Sequence, residues 1–120
     1  MKKLTCHCGA VKAEINSTGA LEKFIKCNCS ICKRKGAIMS MVKNENFKII
    51  KGQDNLKIYQ FHTKVAKHYF CSICGIYTHH NPRSNPTMTG FNVGCLDDTD
   101  TFQLKDVTVN DGQNHPLDKK

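Results

Sequence analysis

The sequence predicts a mainly β fold with little or no helix, on three observations. Its apolar residues alternate in short runs. Turn-forming residues bound those runs. No window carries a convincing amphipathic-helix period, and only Ser30 to Lys35 has the makings of a short helical turn. The 120 residues suit one domain spanning 1–120, and 39% hydrophobic content suits a folded one.

Taken in order, Ala10-Val11-Lys12-Ala13-Glu14-Ile15 reads as a strand, ended by Asn16-Ser17-Thr18-Gly19. Leu21 to Lys26 reads as a second strand that delivers Cys27. Ala37 to Val42 and Phe47 to Ile50 read as two more, and Lys51-Gly52-Gln53-Asp54-Asn55 as a turn. Leu56 to Phe61 alternates cleanly. Lys67 to Phe70 delivers Cys71, and Ile76 to His80 leads away from the knuckle that follows it. Asn81-Pro82-Arg83-Ser84-Asn85-Pro86 is a rigid loop. Thr87 to Val93 and Phe102 to Val109 read as the last strands.

The eight cysteines are Cys6, Cys8, Cys27, Cys29, Cys32, Cys71, Cys74 and Cys95. Three features favour metal over disulfides. Met1-Lys2-Lys3 resembles the start of an export signal, but Thr5-Cys6-His7-Cys8-Gly9 interrupts the apolar stretch that should follow. The expectation is a reducing, cytoplasmic location. The cysteines cluster, whereas disulfide scaffolds spread them. Cys-x-Cys neighbours are also badly placed to bridge one another.

Cys71-Ser72-Ile73-Cys74-Gly75 has the form of a zinc knuckle, with Gly75 permitting the turn behind the two sulfurs. Cys6-His7-Cys8-Gly9 is the best candidate for the other half of a tetrahedral four. Such a site would tie two distant segments and add folding energy. The plainer readings are a redox Cys-x-x-Cys, which usually needs a βαβ context, and buried free thiols. Cys27-Asn28-Cys29-Ser30-Ile31-Cys32 differs, because three thiols within six residues can hold three corners of a tetrahedron. A site with three protein ligands leaves a place for water or substrate. Cys95 is a candidate to close it as a fourth ligand, and so are His62, His68, His79 and His80. His7, between two ligands, should point away from the metal. Thiolate sets of this kind select zinc, so two zinc sites are expected.

The formal charge of +8 invites a nucleic-acid reading. Two Zn²⁺ on seven thiolates would lower it to about +5. There is no Trp and no aromatic–basic stacking motif, and no run resembles a membrane span. The remaining field suits a small anionic substrate. Lys33, Arg34 and Lys35 follow the second cluster and are candidates to balance its charge or hold a carboxylate, unless they are a solvated face. Gly36 would let a substrate approach the backbone. The chain has no nucleophile elbow, phosphate-cradling loop or carboxylate pair.

Four segments in this order carry a resemblance: Cys6-His7-Cys8-Gly9-Ala10-Val11, Cys27-Asn28-Cys29-Ser30-Ile31-Cys32, Phe70-Cys71-Ser72-Ile73-Cys74-Gly75 and Asn92-Val93-Gly94-Cys95-Leu96-Asp97. Together they resemble the glutathione-dependent formaldehyde-activating enzyme family, which includes the centromere protein V domain. Asp111-Gly112-Gln113-Asn114-His115-Pro116 looks like its closing segment. The resemblance implies coiled antiparallel sheets and a structural zinc on Cys6, Cys8, Cys71 and Cys74. It implies a second zinc near Cys27, Cys29 and Cys32, in the glutathione-binding region. The implied activity is carbon–sulfur lyase chemistry, the making or breaking of S-(hydroxymethyl)glutathione. Lys33 stands where many members carry Arg, and Arg34 is next in line for that role. The competing expectation is a non-catalytic zinc-stabilised module that binds protein or nucleic acid.

Overall fold

The computed structural model describes residues 1–17 and 23–119. It is mainly β, as expected. A small sheet of order β1-β2-β5 comprises β1 (Lys2–Thr5), β2 (Lys12–Ile15) and β5 (Phe47–Lys51), all antiparallel. The larger sheet has seven strands: β3 (Ile25–Cys27), β4 (Met39–Lys43), β6 (Leu56–Tyr59), β7 (Lys67–Cys71), β8 (Tyr77–Asn81), β9 (Met88–Asn92) and β10 (Thr108–Asn110). Their order is β10-β3-β4-β9-β8-β7-β6. Among the described residues, no helix is long and apolar enough to cross a membrane.

Most expected strands form within a few residues of their expected bounds. Thr18 and Gly19 of the expected first turn, and Leu21 and Glu22 of the expected second strand, lie outside the described residues. Two differences are informative. Lys2–Thr5 is a strand that alternation did not pick out, because only Leu4 of its four side chains is buried. Phe102 to Val109 is not one strand. Thr101–Gln103 is a 3-10 turn, Phe102 is 95% exposed, and Asp106 has a left-handed φ of 59°. Only Thr108–Asn110 pairs, and it runs parallel to β3, against the antiparallel expectation. A parallel partner arrives from far along the chain, so no local hairpin signal announces it.

The core lies between the sheets. Leu4, Ala13 and Ile15 of the small sheet pack with Phe91, Val93 and Leu96, all at most 3% exposed. Each large side chain buried here contributes roughly 1.5–3 kcal/mol. A smaller core of Cys6, Val11 and Cys71, flanked by Ala10, Leu56 and Cys74, lies where the β1–β2 turn meets the end of β7. The β7–β8 knuckle is thereby held against the small sheet.

One α-helix, α1 (Ser30–Lys35), occupies the short segment anticipated for it. Cys29 caps its start, the sulfur accepting from the Cys32 N–H at 3.4 Å. Gly36 ends it with φ 65°, and its N–H donates to the Cys32 carbonyl at 3.0 Å. The left-handed cap accounts for this glycine without any need for a substrate to approach it.

Candidate functional site

Two thiol clusters stand apart. The sulfurs of Cys6, Cys8, Cys71 and Cys74 all lie within 4.8 Å of one another. Cys6 and Cys8 are 3.6 Å apart, Cys8 and Cys71 3.7 Å. Zinc–sulfur bonds of about 2.3 Å make a tetrahedron with edges of about 3.8 Å, so the four sulfurs already have the spacing a zinc ion needs. The two turns that present them are alike. Gly9 donates to the Cys6 carbonyl at φ 81°, and Gly75 to the Cys71 carbonyl at φ 76°. Backbone N–H groups also reach the sulfurs: Val11 donates to Cys6 at 3.3 Å and Ile73 to Cys71 at 3.4 Å. Such donors stabilise thiolate. His7 is exposed and is not among the grouped donors.

Cys27, Cys29 and Cys32 form the second cluster, again within 4.8 Å. β3 delivers Cys27, and the first turn of α1 brings Cys29 and Cys32 beside it. Hydrogen bonding to Cys32 pulls the Cys29 thiol down to about 5 and drives Cys32 upward. Two thiolates at this spacing repel by about 3.5 kcal/mol at an effective dielectric of about 20, so full ionisation requires a cation. Three thiols with one open corner suit zinc by donor chemistry and spacing alike.

Cys95 does not join this cluster. It is buried in the main core, donates to the Tyr77 carbonyl at 3.8 Å, and is pushed up to about 12 by burial. It behaves as a neutral packing thiol. The histidines do not close the cluster either. His62 is exposed, and His79 lies between Phe47 and Tyr69 with its Nδ1 on the Thr78 hydroxyl. His68 and His80 have other partners, Lys35 and Tyr77.

The second cluster opens on a cavity of about 490 Å³, within the usual range for small-molecule sites. Apolar side chains Ile25, Ile31, Met39 and Phe61 line one part, and polar groups His68, His80, Arg83 and His115 another. Residues 110–118 form a strap along its edge. Gly112 passes so close that a Cβ there would lie 2.7 Å from the Cys27 sulfur. The strap is fastened at Asn28, which donates to Asp111, and at Ser30, whose N–H and hydroxyl donate to Asp118. Arg83 donates to the Leu117 carbonyl at 2.9 Å.

Lys33, Arg34 and Gly36 lie outside this cavity and are exposed. Consecutive helical residues point about 100° apart, so a basic run cannot all face one site. Arg34 lines an adjoining recess of about 120 Å³ that shares Ile31 and Phe61 with the cavity. The inward member of the run is Lys35, four residues after Ile31 and on its face. Lys35 Nζ lies 2.8 Å from His68 Nδ1 and 3.8 Å above the Tyr77 ring. Burial lowers it to about 8, against the pull of Cys32, Cys29 and Cys27. Arg83 and Asp118 carried no motif, and His115 stood in the closing segment of the resemblance without a role; their placement in space reveals them.

Residues 1–109 match the sequence model of the glutathione-dependent formaldehyde-activating enzyme family. A Rhodobacter sphaeroides protein of known crystal structure is similar, with 42% identity and a TM-score of 0.85 over 90% of this chain and 99% of that one.

Proposed function

This chain belongs to the glutathione-dependent formaldehyde-activating enzyme family, and on that premise we propose that it is a zinc-dependent carbon–sulfur lyase-like enzyme that makes or cleaves the formaldehyde adduct of glutathione or a similar thiol. The observation that carries this reading is the position of Cys27, Cys29 and Cys32. They supply three corners of a metal site, and the open side faces the 490 Å³ cavity. Zinc bound there would offer a fourth position that favours the thiolate form of an incoming sulfur. Zinc at Cys6, Cys8, Cys71 and Cys74 is structural in this reading.

The cavity's other groups suit a small zwitterionic thiol. Arg83 presents a guanidinium to a substrate carboxylate. Arg34 reaches a second anionic group through the adjoining recess. Asp111 lines the same cavity and suits an ammonium. The apolar wall and the strap would limit water around the reacting sulfur, which would strengthen the charge interactions beside it.

The test is exchange NMR with carbon-labelled formaldehyde and reduced glutathione on zinc-loaded protein. The protein should accelerate adduct exchange above the uncatalysed rate. Cys29→Ser and Cys32→Ser should abolish that acceleration while the circular dichroism stays native. A folded Cys29→Ser protein with full activity contradicts the reading.

A further inference from the structure

His68 and His80 sit directly opposite each other on β7 and β8. Their rings stack 5.7 Å apart at 13°, and both line the cavity. Each has its Nδ1 occupied, His68 by Lys35 Nζ at 2.8 Å and His80 by the Tyr77 hydroxyl at 2.5 Å. An ammonium can only donate. The Tyr77 hydroxyl is buried, which raises it well above its ordinary value, so it keeps its proton and is able to donate to His80 Nδ1. His68 Nδ1 therefore accepts, and a neutral imidazole in that position carries its proton on Nε2; donation from the Tyr77 hydroxyl would set the same tautomer at His80. Burial lowers His68 to about 4 and His80 to about 3, so both rings are neutral at pH 7. The assembly is tightly fixed. Phe61 stacks on His68. A Cβ on Gly90 would lie 2.2 Å from the His80 ring, which leaves that ring no room to shift toward β9.

We infer that His68 and His80 are the hydrogen-bond donors that stabilise the oxygen of the thiol–aldehyde adduct, with Lys35 and Tyr77 as the positioning residues that set their tautomers. This rests on the thiol-adduct reading above. As the substrate thiolate forms the new C–S bond, the carbonyl π bond breaks and its electron pair moves to oxygen. Two Nε2–H groups meet that developing charge, in the manner of an oxyanion hole. His68 then gives its Nε2 proton to the oxygen, and its Nδ1 takes a proton from Lys35. When the product leaves, His68 returns its Nδ1 proton to Lys35 and regains its Nε2 proton from the water that took it from the substrate thiol, so both residues recover their starting forms and no net proton is gained or lost. Cleavage runs the same steps backward.

The experiment uses the zinc-loaded full chain and the same exchange assay, together with long-range nitrogen–proton NMR of the imidazoles. The expected result is that both rings are Nε2–H tautomers. His68→Gln should lower kcat by about 100-fold or more, with glutathione KM within about two-fold of wild type, because ground-state binding is untouched. Lys35→Met should lower kcat as well and remove the tautomer preference at His68, whereas Lys35→Arg should preserve both. If His68→Gln does not fold, Lys35→Met and Lys35→Arg decide the question. An active wild type whose Lys35→Met and His68→Gln forms keep their kcat overturns this inference alone. So does an Nδ1–H or cationic His68 at neutral pH. A wild type that accelerates nothing overturns the thiol-adduct reading, and this inference with it.

Discussion

Gly112 shows how a single residue governs the second cluster. It touches the cluster from the strap, where a Cβ would lie 2.7 Å from both the Cys27 sulfur and the Cys29 Cβ. Gly112→Ala should displace one of these groups and weaken metal at this cluster, leaving the four-sulfur site loaded. Metal content after mild chelation reports it, the expected outcome being loss of one ion per chain and not of both. His79 affords a second prediction. In the unfolded chain it gains a proton below about 6.5; in the fold, burial delays that to about 4. The unfolded state thus binds more protons between these values. Stability is full above pH 6.5 and falls as the pH drops toward 4, by roughly 3 kcal/mol over the whole window. His79→Phe keeps the stack on Phe47 and Tyr69, and its urea midpoint should fall less between pH 7 and pH 4.5 than that of wild type. At this scale the thiol clusters were legible in the sequence because short turns preorganise them: Cys6 with Cys8, and Cys71 with Cys74. Lys35 was harder to separate from Lys33 and Arg34, since helical phase alone decides which of them turns inward.

Among the elements, α1 and the strap have most influence on the cavity. Asp118 holds the strap to Ser30 through two donors at 2.8–3.2 Å. Asp118→Ala should release it, and amide exchange over residues 110–118 should quicken while β7 and β8 stay protected. Glutathione binding, measured by calorimetry, should weaken in the same variant. Strands with local hairpin partners were legible from alternation, as Leu56–Tyr59 and Lys67–Cys71 show. β10 was not. Its neighbour β3 is some eighty residues earlier in the chain, and the 3-10 turn at Thr101–Gln103 imitates an alternating pattern while exposing Phe102. The cavity was illegible for the same reason: its polar wall is assembled from β7, β8, the loop carrying Arg83, and the strap.

For the molecule as a whole, the four-sulfur cluster links the two sheets. Cys6 and Cys8 lie in the β1–β2 connection of the small sheet, Cys71 ends β7 of the large one, and Cys74 lies in the β7–β8 connection. Structural zinc binding of about 10–16 kcal/mol is comparable to the entire stability of a small domain. Cys71→Ser should therefore unfold the chain or sharply lower its thermal midpoint, whereas Cys27→Ser should leave a cooperative transition. The basic formal charge that suggests nucleic acid belongs to the whole surface, while the cavity combines Arg83 with Asp111 and Asp118. The central claim is that one cluster is closed and the other open to a thiol. Cadmium NMR of the fully reconstituted chain tests it most directly, because the cadmium shift reports how many sulfurs surround each ion. Two resonances are predicted, one with four-sulfur character that ignores reduced glutathione, and one with three-sulfur character that moves to four-sulfur character when glutathione is added. Two four-sulfur resonances that glutathione leaves unmoved would contradict it.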